Sequence, residues 1–582
     1  MEDYKFVVGQ EFPDVKTFRK TIKEAAIAQH FELRLIKSDL IRYFARCASE
    51  GCPWRIRPVK LPNVPTFAVR SIDGTHTCGK KAQNGHQQAS IDWIVSFIEE
   101  RLRDNVNYKP KDILEDIRKQ YGITIPYKQA WRAKERGLAA IYGSSEEGYS
   151  LLPAYCEQIL RTNPGSIAQV FTFGTDNRFQ SFFVSFYASI HGFIKGCAPL
   201  IGLSSIQLKS KYLGTLLCAL SFDGDGGLFP LAFGIVDVEN DESWMWFLSE
   251  LHKLIEMNMG SIPHLTFLSD GQKGIRESVK TKFHSAYHGI CIRYLTESAS
   301  KEYKNPRLVH IISKAAYSIT SAGFKERMLE IEEVSPEAVK WIKQFPPTQW
   351  AVAYLEGGRY GHLSSGIEEF NKWIYEAREL PIIQVINRIH CRLINEFDIQ
   401  RKKGFAWTSA LVPTAENRML ENISKAASFQ VLRSDEVEFE VLSADYRSDI
   451  VNIGTRSCSC RDWQLYGLPC SHGVAAILSC RKEVSVFSEK CFTVASYRLA
   501  YSEMLHPVPD QSEWNKVSAE NITIVRPPKF RRPPGRPEKK RQCVEEDLNK
   551  GKHTVHCSKC NQTGHYKTTC KAEGMIQSIT QC

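Results

Sequence analysis

Half of the eighteen cysteines in this 582-residue chain fall into three short groups, and each group also contains one histidine. The groups are Cys47-x4-Cys52-x23-His76-x-Cys78, Cys458-x-Cys460-x9-Cys470-x-His472 and Cys557-x2-Cys560-x4-His565-x4-Cys570. Each group supplies the four nitrogen and sulfur ligands of a tetrahedral zinc site. The third segment is too short to fold on apolar burial alone, so bound metal would supply its folding free energy. The sequence therefore predicts three zinc sites.

The rest of the composition agrees with this use of cysteine. The first residues, MEDYKFVVGQEF, contain acids and no apolar run, so we expect no secretory signal and no disulfides. No window reaches the roughly 18 uninterrupted apolar residues of a membrane span, so we expect no integral membrane protein. A content of 43% hydrophobic and 24% charged residues is typical of a soluble globular protein. A chain of this length predicts roughly four domains.

Positive charge is concentrated near the carboxyl end. The net charge is +11, and residues 526–541 contain eight basic residues and one acid, so they carry +7 of it. Five prolines exclude a helix there, which leaves two interpretations. The tract is either a solvated linker or a polyanion-binding and nuclear-import segment. Its Pro534-Gly535-Arg536-Pro537 resembles the core of an AT-hook, which places arginine in the minor groove. We therefore expect the nucleus as the location.

Residues 88–145 have the periodicity of helices, with Trp93, Ile94, Phe97, Ile98 and Leu102 at helical spacing. One interpretation is a packed linker domain. The other is a helix-turn-helix, because the third helix is basic. Its cations are Lys128, Arg132, Lys134 and Arg136.

A strand pattern begins at about residue 197. Apolar runs at Ala198–Leu203, Tyr212–Phe222 and Leu228–Val236 predict three strands, with a glycine-rich hairpin turn at 223–227. An amphipathic helix follows from Asp241, and a buried strand, His264–Ser269, ends at Asp270. Three strands, a helix and a fourth strand is the order of an RNase H-like sheet. Residues 296–400 read as mostly helical, and strands return over 430–500.

Each cysteine group resembles a known zinc module. The first is similar to the WRKY/GCM-type finger of Mutator-like transposases, whose small sheet pushes an edge into the major groove of DNA. The second resembles the SWIM finger, a ββα module proposed to bind DNA or protein. Its Cys458-x-Cys460 is expected to present alternate residues on one face of a strand, and Cys470-x-His472 is expected to open the helix that follows. The third resembles the CCHC knuckle, which binds single-stranded nucleic acid or protein. It has Ser558 where an aromatic is usual, so base stacking would rest on Tyr566. Cations available for phosphate contacts in the first module are Arg34, Lys37, Arg42, Arg46, Arg55, Arg57 and Lys60.

Residues 199–254, 267–275 and 360–374 resemble the transposase domain of plant Mutator-like elements. The order of the modules points to the domesticated descendants of these elements, of which the MUSTANG-type genes are nearest. The expected fold is therefore a multidomain α/β protein. Its parts are a WRKY/GCM-like finger over 1–85, a helical linker domain over 86–196 and an RNase H-like mixed-sheet core with a helical insertion over 197–400. A ββα SWIM finger over 430–485, a basic proline-rich linker over 524–553 and a knuckle over 554–573 follow.

The resemblance implies three carboxylates that hold two divalent metals for DNA cleavage and strand transfer. Asp270 matches the second acid and Glu368 the third, but Ser204-Ser205 stands where the family has Asp-Gly. Counting along the strands places Asp223 over about 30 Å from Ser204, too far to replace the first acid. Tyr294 and Gln207 are two further departures from the family pattern. Magnesium would bind only at a residual site formed by the two remaining acids.

Three functions fit these residues. The preferred one is a nuclear zinc protein that binds double-stranded DNA, has lost transposase activity and regulates transcription. The second is an active transposase in which another acid replaces the missing one. The third is a scaffold whose SWIM finger and knuckle recruit partners.

Overall fold

The computed structural model describes residues 5–78, 85–259, 264–443, 448–514 and 524–530, all within one compact unit that ends at Arg531. The knuckle ligands and the AT-hook-like Pro534–Pro537 lie outside the described residues. No helix in the described part of the chain has the length and apolar character needed to cross a membrane.

The amino-terminal module is a five-stranded antiparallel sheet covered on one face by a helix. The strand order is β1-β5-β4-β3-β2. The buried faces of the helix and the sheet form a core of their own around Phe18, Ile22 and Ile56. The elements are β1 (Glu11–Phe12), α1 (Val15–Ala28), β2 (Leu33–Ser38), β3 (Tyr43–Cys47), β4 (Arg55–Lys60) and β5 (Phe67–Asp73).

A helical unit follows, and α2, α3 and α4 share a second small core with Ile27 of α1. The α2 helix begins at the cap Ser90, whose side chain accepts a hydrogen bond from the Trp93 amide. The helices are α2 (Ile91–Asp104), α3 (Pro110–Tyr121), α4 (Tyr127–Tyr142), α5 (Ser145–Ser150) and α6 (Leu152–Thr162).

The centre of the molecule is a seven-stranded mixed sheet of order β12-β11-β8-β9-β10-β7-β6. The predicted succession of three strands, a helix and a fourth strand is present as β8, β9, β10, α8 and β11, and the structure shows that the first three pair antiparallel and that β11 is parallel to β8. The elements are β6 (Ile167–Phe173), β7 (Arg178–Ser185), α7 (Tyr187–Gly196), β8 (Leu200–Gln207), β9 (Thr215–Phe222), β10 (Leu228–Val236), α8 (Asp241–Met259), β11 (Thr266–Ser269), α9 (Lys273–Lys282) and β12 (Tyr287–Ile290).

The prediction of a helical domain over 86–196 is wrong for residues 167–185. Residues 167–185 form β6 and β7, and β7 pairs antiparallel with β10 of the central sheet. Their apolar side chains therefore complete the sheet core instead of a separate helical core.

An insertion of helices follows β12 along the chain and has its own apolar core. It consists of α10 (Ile292–Tyr303), α11 (Pro306–Tyr317), α12 (Ser321–Val334), α13 (Pro336–Ile342) and α14 (Pro347–Trp350), followed by a 3₁₀ turn at Val352–Tyr354. The chain then returns to the main core through α15 (Ile367–Ile374), a 3₁₀ turn at Ala377–Glu379, α16 (Ile382–Ala406) and α17 (Pro413–Ala426).

The carboxyl-terminal module has a four-stranded antiparallel sheet, β13-β14-β15-β16. Its buried Val451, Trp463 and Ile477 belong to the same continuous core as the seven-stranded sheet. The elements are β13 (Gln430–Arg433), β14 (Glu438–Leu442), β15 (Ser448–Asn452), β16 (Ser457–Cys458), α18 (Asp462–Tyr466), α19 (Ser471–Ser479), 3₁₀ turns at Val484–Phe487 and Lys490–Phe492, α20 (Val494–Ala500) and α21 (Gln511–Trp514).

The start of the basic tract is part of the folded body. Arg526 pairs with Arg178 of β7, because the Phe179 amide donates to the Arg526 carbonyl at 2.8 Å and the Arg526 amide donates to the Asn177 carbonyl at 3.0 Å. The linker expected over 524–553 is therefore anchored to the sheet at its first residues.

Candidate metal centres and nucleic-acid interface

The four ligands predicted in the amino-terminal module converge, and their ligand atoms lie within 4.8 Å of one another. Cys47 ends β3, Cys52 lies in the following loop, and His76 and Cys78 follow β5. The Cys47 and Cys78 sulfurs are 3.5 Å apart, and His76 Nδ1 is 3.5 Å from the sulfurs of Cys52 and Cys78. Tetrahedral zinc with normal bond lengths places such atoms about 3.6–3.8 Å apart. The donor set and its spacing fit zinc.

Aromatic packing orients the histidine of this first cluster. The His76 ring stacks on Trp54 with centroids 4.6 Å apart and lies against Phe31 at 4.0 Å. These rings hold His76 so that Nδ1 faces the sulfurs. The ligands come from the end of β3 and from the segment after β5, so bound metal would link these two parts of the module.

The second predicted set, Cys458, Cys460, Cys470 and His472, also converges within 4.8 Å. Cys470 is the N-cap of α19, and His472 lies in its first turn, as the sequence predicts. The expectation that both residues of Cys-x-Cys lie on a strand is wrong for Cys460. The strand β16 ends at Cys458, and the chain turns because Arg461 has a left-handed backbone (φ 64°) and its amide donates to the Cys458 carbonyl. This turn brings the Cys460 sulfur back toward Cys458.

A carboxylate that is not one of the four predicted ligands contacts the histidine of the second cluster. His472 Nδ1 faces the Cys458 sulfur at 3.7 Å, while Nε2 lies 3.4 Å from Asp449 Oδ2. Such an outer carboxylate fixes the tautomer and the orientation of a metal-binding histidine. Sequence reasoning did not select Asp449, because it comes from β15 and reaches the site only through the antiparallel pairing of β15 with β16.

We expect metal analysis of the purified full chain to return three zinc ions, one for each predicted ligand set. The two described clusters have donor distances that already match zinc, so neither requires rearrangement. Cys52→Ser should remove one ion and leave the other two, and Cys480→Ser, which changes a cysteine outside the clusters, should remove none. Two or fewer ions in the wild type would contradict the three-site prediction.

The uncovered face of the amino-terminal sheet carries a row of arginines. Arg34 is opposite Arg46, and Arg46 is opposite Arg55, so three cations align across β2, β3 and β4. Like charges directly opposite one another destabilise a sheet unless an anion lies over them. Arg55 is paired with Asp73 at 2.9 Å, whereas Arg34 and Arg46 are exposed. We call these three residues the arginine row.

Other cations predicted for phosphate contacts have local partners. Arg42 and Lys37 lie 3.8 and 3.9 Å from Asp39, and Arg57 lies over the Phe44 ring at 4.1 Å. Sequence reasoning missed Arg70, an exposed residue of β5.

Not all of the four cations predicted on the third helix of this unit, α4, are free to face solvent. Lys134 is buried and donates to Glu379 at 2.6 Å, so it joins α4 to the central domain instead of facing solvent. Arg136 pairs with Asp92 of α2 at 2.8 Å. Lys128 and Arg132 remain exposed. A helical period brings these cations near one another but does not show which face is covered.

The three positions expected to hold carboxylates lie toward the carboxyl ends of the neighbouring strands β8 and β11. We call this end of the two strands the edge. The parallel strands β8 and β11 pair as far as Gly202 and Leu268, and continuing this register by two residues places Ser204 next to Asp270. Ser204 Oγ is 2.8 Å from Ser365 Oγ, and Ser365 lies three residues before Glu368 in the chain. A Cβ on Gly202 would lie 2.3 Å from the Ser365 carbonyl oxygen, so glycine is what allows this loop to cross β8.

The two remaining acids at this edge have protein partners. Asp270 accepts hydrogen bonds from the amide and the side chain of Gln272, and burial raises the pKa of its carboxyl. Glu368 forms an ion pair with Arg293, which also pairs with Glu297 at 2.7 Å. A divalent cation at Glu368 would have to displace or share that guanidinium.

Family models match three parts of the chain. A model described as MuDR family transposase matches residues 3–69, a MULE transposase domain matches residues 203–298, and a SWIM zinc finger matches residues 443–481. The chain is derived from a Mutator-like transposase and carries a SWIM finger. No curated protein sequence matches it. The matched regions contain the arginine row, the Ser204–Asp270 edge and the second zinc cluster.

The sequence resemblance implies departures from the family pattern at Ser205, Gln207 and Tyr294, and the structure shows the surroundings of each. Gln207 and Ser205 project from β8 and both donate to Glu239 Oε2, at 3.2 and 3.0 Å. Tyr294 is partly exposed on α10, next to Arg293.

The distance predicted for Asp223 in the Mutator-derived protein is wrong. Because β8 and β9 are antiparallel, with Gly202 opposite Leu220, Asp223 comes back beside Pro199. Five residues at about 3.3 Å place it about 17 Å from Ser204, not 30 Å. Its carboxylate accepts hydrogen bonds from Tyr501 at 2.7 Å and the Gly227 amide at 2.8 Å, and burial raises its pKa to about 6. Asp223 is thus a buried turn residue, and its carboxylate cannot replace the first acid at the position of Ser204.

Proposed function

We propose that this chain is a nuclear, zinc-dependent protein that binds double-stranded DNA, has lost strand transfer and regulates transcription. The observation that carries the loss of strand transfer is the position of Ser204. The resemblance implies the first acid of the family at this position, the register of β8 and β11 continues to Ser204 and Asp270, and the Ser204 hydroxyl is bonded to Ser365. A neutral hydroxyl does not supply the charge that bridges two divalent metals.

The arginine row supports DNA as the partner. Arg34 and Arg46 are exposed and aligned on the uncovered face of the sheet, within the residues matched by the MuDR family model. Arginine binds phosphate through two parallel hydrogen bonds. The zinc ligands at the end of β3 and after β5 would hold the sheet rigid behind this face. We infer that the row lies against the backbone of a duplex.

The combined substitution Arg34→Gln and Arg46→Gln should weaken binding to duplex DNA and reduce its dependence on salt. Each lost phosphate contact lowers the slope of log K against log salt by about 0.9, so the expected reduction is about 1.8. Fluorescence anisotropy over a salt series measures it. The matched control is Arg307→Gln with Arg388→Gln, which removes two exposed arginines from the helices α11 and α16 and should leave the slope unchanged. Equal slopes for the wild type and the Arg34 and Arg46 variant would contradict the assignment.

Genome-wide mapping of binding sites tests the regulatory part of the proposal. We expect discrete sites at single-copy promoters, and expression of the neighbouring genes should change when the protein is depleted. Binding confined to the terminal inverted repeats of a mobile element would contradict a regulatory role and favour a transposase.

Glu239 supports a second candidate function, that of an active transposase. Its carboxylate is bonded to Ser205, the neighbour of Ser204, and Trp244 Nε1 donates to it at 3.2 Å. An acid at this place could supply the missing charge if the strand end rearranged on DNA. In that case Glu239→Gln and Asp270→Asn would each abolish cleavage of DNA by the wild type. Under the preferred proposal there is no cleavage for either substitution to remove.

A further inference from the structure

The outer face of α1 carries a second cationic surface. Four cations are spaced i, i+3, i+4 and i+7, so they form one stripe along the helix. They are Lys16, Arg19, Lys20 and Lys23. The three lysines are exposed, and in the part of the chain that the structure describes none of them is paired with a carboxylate. Sequence reasoning missed the stripe, although its helical spacing is visible in the sequence.

This stripe continues onto the helical unit. A cavity of about 330 Å³ separates it from the start of α2 and is lined on the far side by Ser90 and Asp92. Asp92 pairs with Arg136 of α4, whose exposed side also carries Lys128 and Arg132. Trp131, 45% exposed, lies beside them on the same helix. We call these seven cations, from Lys16 to Arg136, the α1–α4 band.

The α1–α4 band and the arginine row lie on opposite sides of the amino-terminal sheet. Phe18 and Ile22 of α1 pack against Ala45 and Ile56 of the sheet, whereas the three lysines of the stripe are exposed. Arg19 is half-buried between these two faces and donates to Ser38 Oγ at 2.8 Å and to the Asp39 carbonyl at 3.3 Å, at the end of β2. Arg46 and Arg55 alternate with those buried strand residues, so they point away from α1. A helix about 10 Å in diameter and the sheet itself separate the two surfaces. A straight duplex on the arginine row therefore does not reach the band.

The dimensions and charge of the band match a nucleic-acid backbone. Lys16 and Lys23 are about 10 Å apart along the helix, which corresponds to about three phosphates of one strand. The neighbouring lysines of α1 repel one another, and a polyanion over them removes that repulsion. The α1 part of the band belongs to the amino-terminal module that the MuDR family model matches, so it lies in the same module as the arginine row.

We propose that the α1–α4 band binds the phosphate backbone of a second duplex, so that a single chain joins two DNA segments. The inference rests on the proposed function only in assigning the first duplex to the arginine row. An acidic protein on the band is the competing occupant, and it would leave the joining of duplexes independent of the band.

A capture assay with the full zinc-loaded chain tests the inference. One biotinylated duplex is immobilised and saturated with protein, and the amount of a second, fluorescent duplex retained is measured. Lys16→Gln, Lys20→Gln and Lys23→Gln together should reduce capture at least tenfold while binding of the first duplex changes less than twofold. The matched control is Lys325→Gln, Lys340→Gln and Lys343→Gln, three exposed lysines of the helical insertion, which should capture like the wild type.

Three results would overturn the inference: no capture by the wild type, equal capture by the band variant, or an equal loss of binding to both duplexes. Equal capture would arise if two chains, each holding one duplex on its arginine row, produced the joining. Failure of the proposed function has a different signature, because binding of the first duplex would then be insensitive to Arg34→Gln with Arg46→Gln.

Discussion

Incubation of the wild-type chain with supercoiled and end-containing duplex DNA is expected to yield no cleavage or strand-transfer product, in Mg²⁺ or in Mn²⁺. Cleavage of this kind needs two divalent ions about 3.5–4 Å apart, and carboxylates must offset their repulsion. Ser204 contributes no charge, and the Glu368 carboxylate is paired with Arg293. Mn²⁺ belongs in the assay because it tolerates imperfect ligand sets better than Mg²⁺.

Substitutions at the strand edge show whether the missing carboxylate is the cause. Ser204→Asp restores the acid at its position beside Asp270, and Ser204→Asn is the matched neutral control. Ser205 is left in place because its hydroxyl donates to Glu239. Product formed by the Asp variant and not by the Asn variant would assign the inactivity to this residue. Wild-type cleavage that disappears in Asp270→Asn would contradict the inactive proposal and favour an active transposase.

Loss of the SWIM metal is expected to destabilise the central domain as well as the finger. Trp463 and Ile477 of the finger belong to the same continuous core as the seven-stranded sheet, and Arg461 donates to the carbonyls of Ala353 and Leu355 in the insertion. Zinc contributes about 10–16 kcal/mol to the folding of small zinc modules. Cys460→Ser should therefore lower the melting temperature of the body by at least about 10 °C.

Hydrogen exchange of individual peptides distinguishes a shared core from a separate finger. Cys460→Ser should increase exchange in β9 and α7 as well as in α19. Cys52→Ser should affect the amino-terminal sheet alone, because that module has its own core. Cys480→Ser is the control, since Cys480 ends α19 outside the ligand set. Unchanged exchange in β9 after Cys460→Ser would show that the finger folds independently.

Some of the fold was predictable because its determinants are local. The β8–β9–β10–α8–β11 succession follows from apolar runs, a glycine-rich turn and a helical period within about seventy residues. The strands β6 and β7 pair with each other as a local hairpin, but their membership of the central sheet depends on the pairing of β7 with β10, some fifty residues later along the chain. The distance of Asp223 from Ser204 was wrong for a related reason. Contour length along a chain sets an upper limit on separation, and an antiparallel hairpin brings the two ends back together.

Local spacing was enough to predict the ligand sets of the two described metal clusters, and the resemblance was enough to select Asp270, Glu368 and Ser204. Spacing along a strand or turn decides which ligands can meet at one metal, and that information is local. Which charges remain available for binding depends on how the chain packs. The tertiary structure aligns Arg34 with Arg46, buries Lys134 against Glu379 and pairs Glu368 with Arg293. These pairings join residues from different elements, and packing of the whole chain selects them.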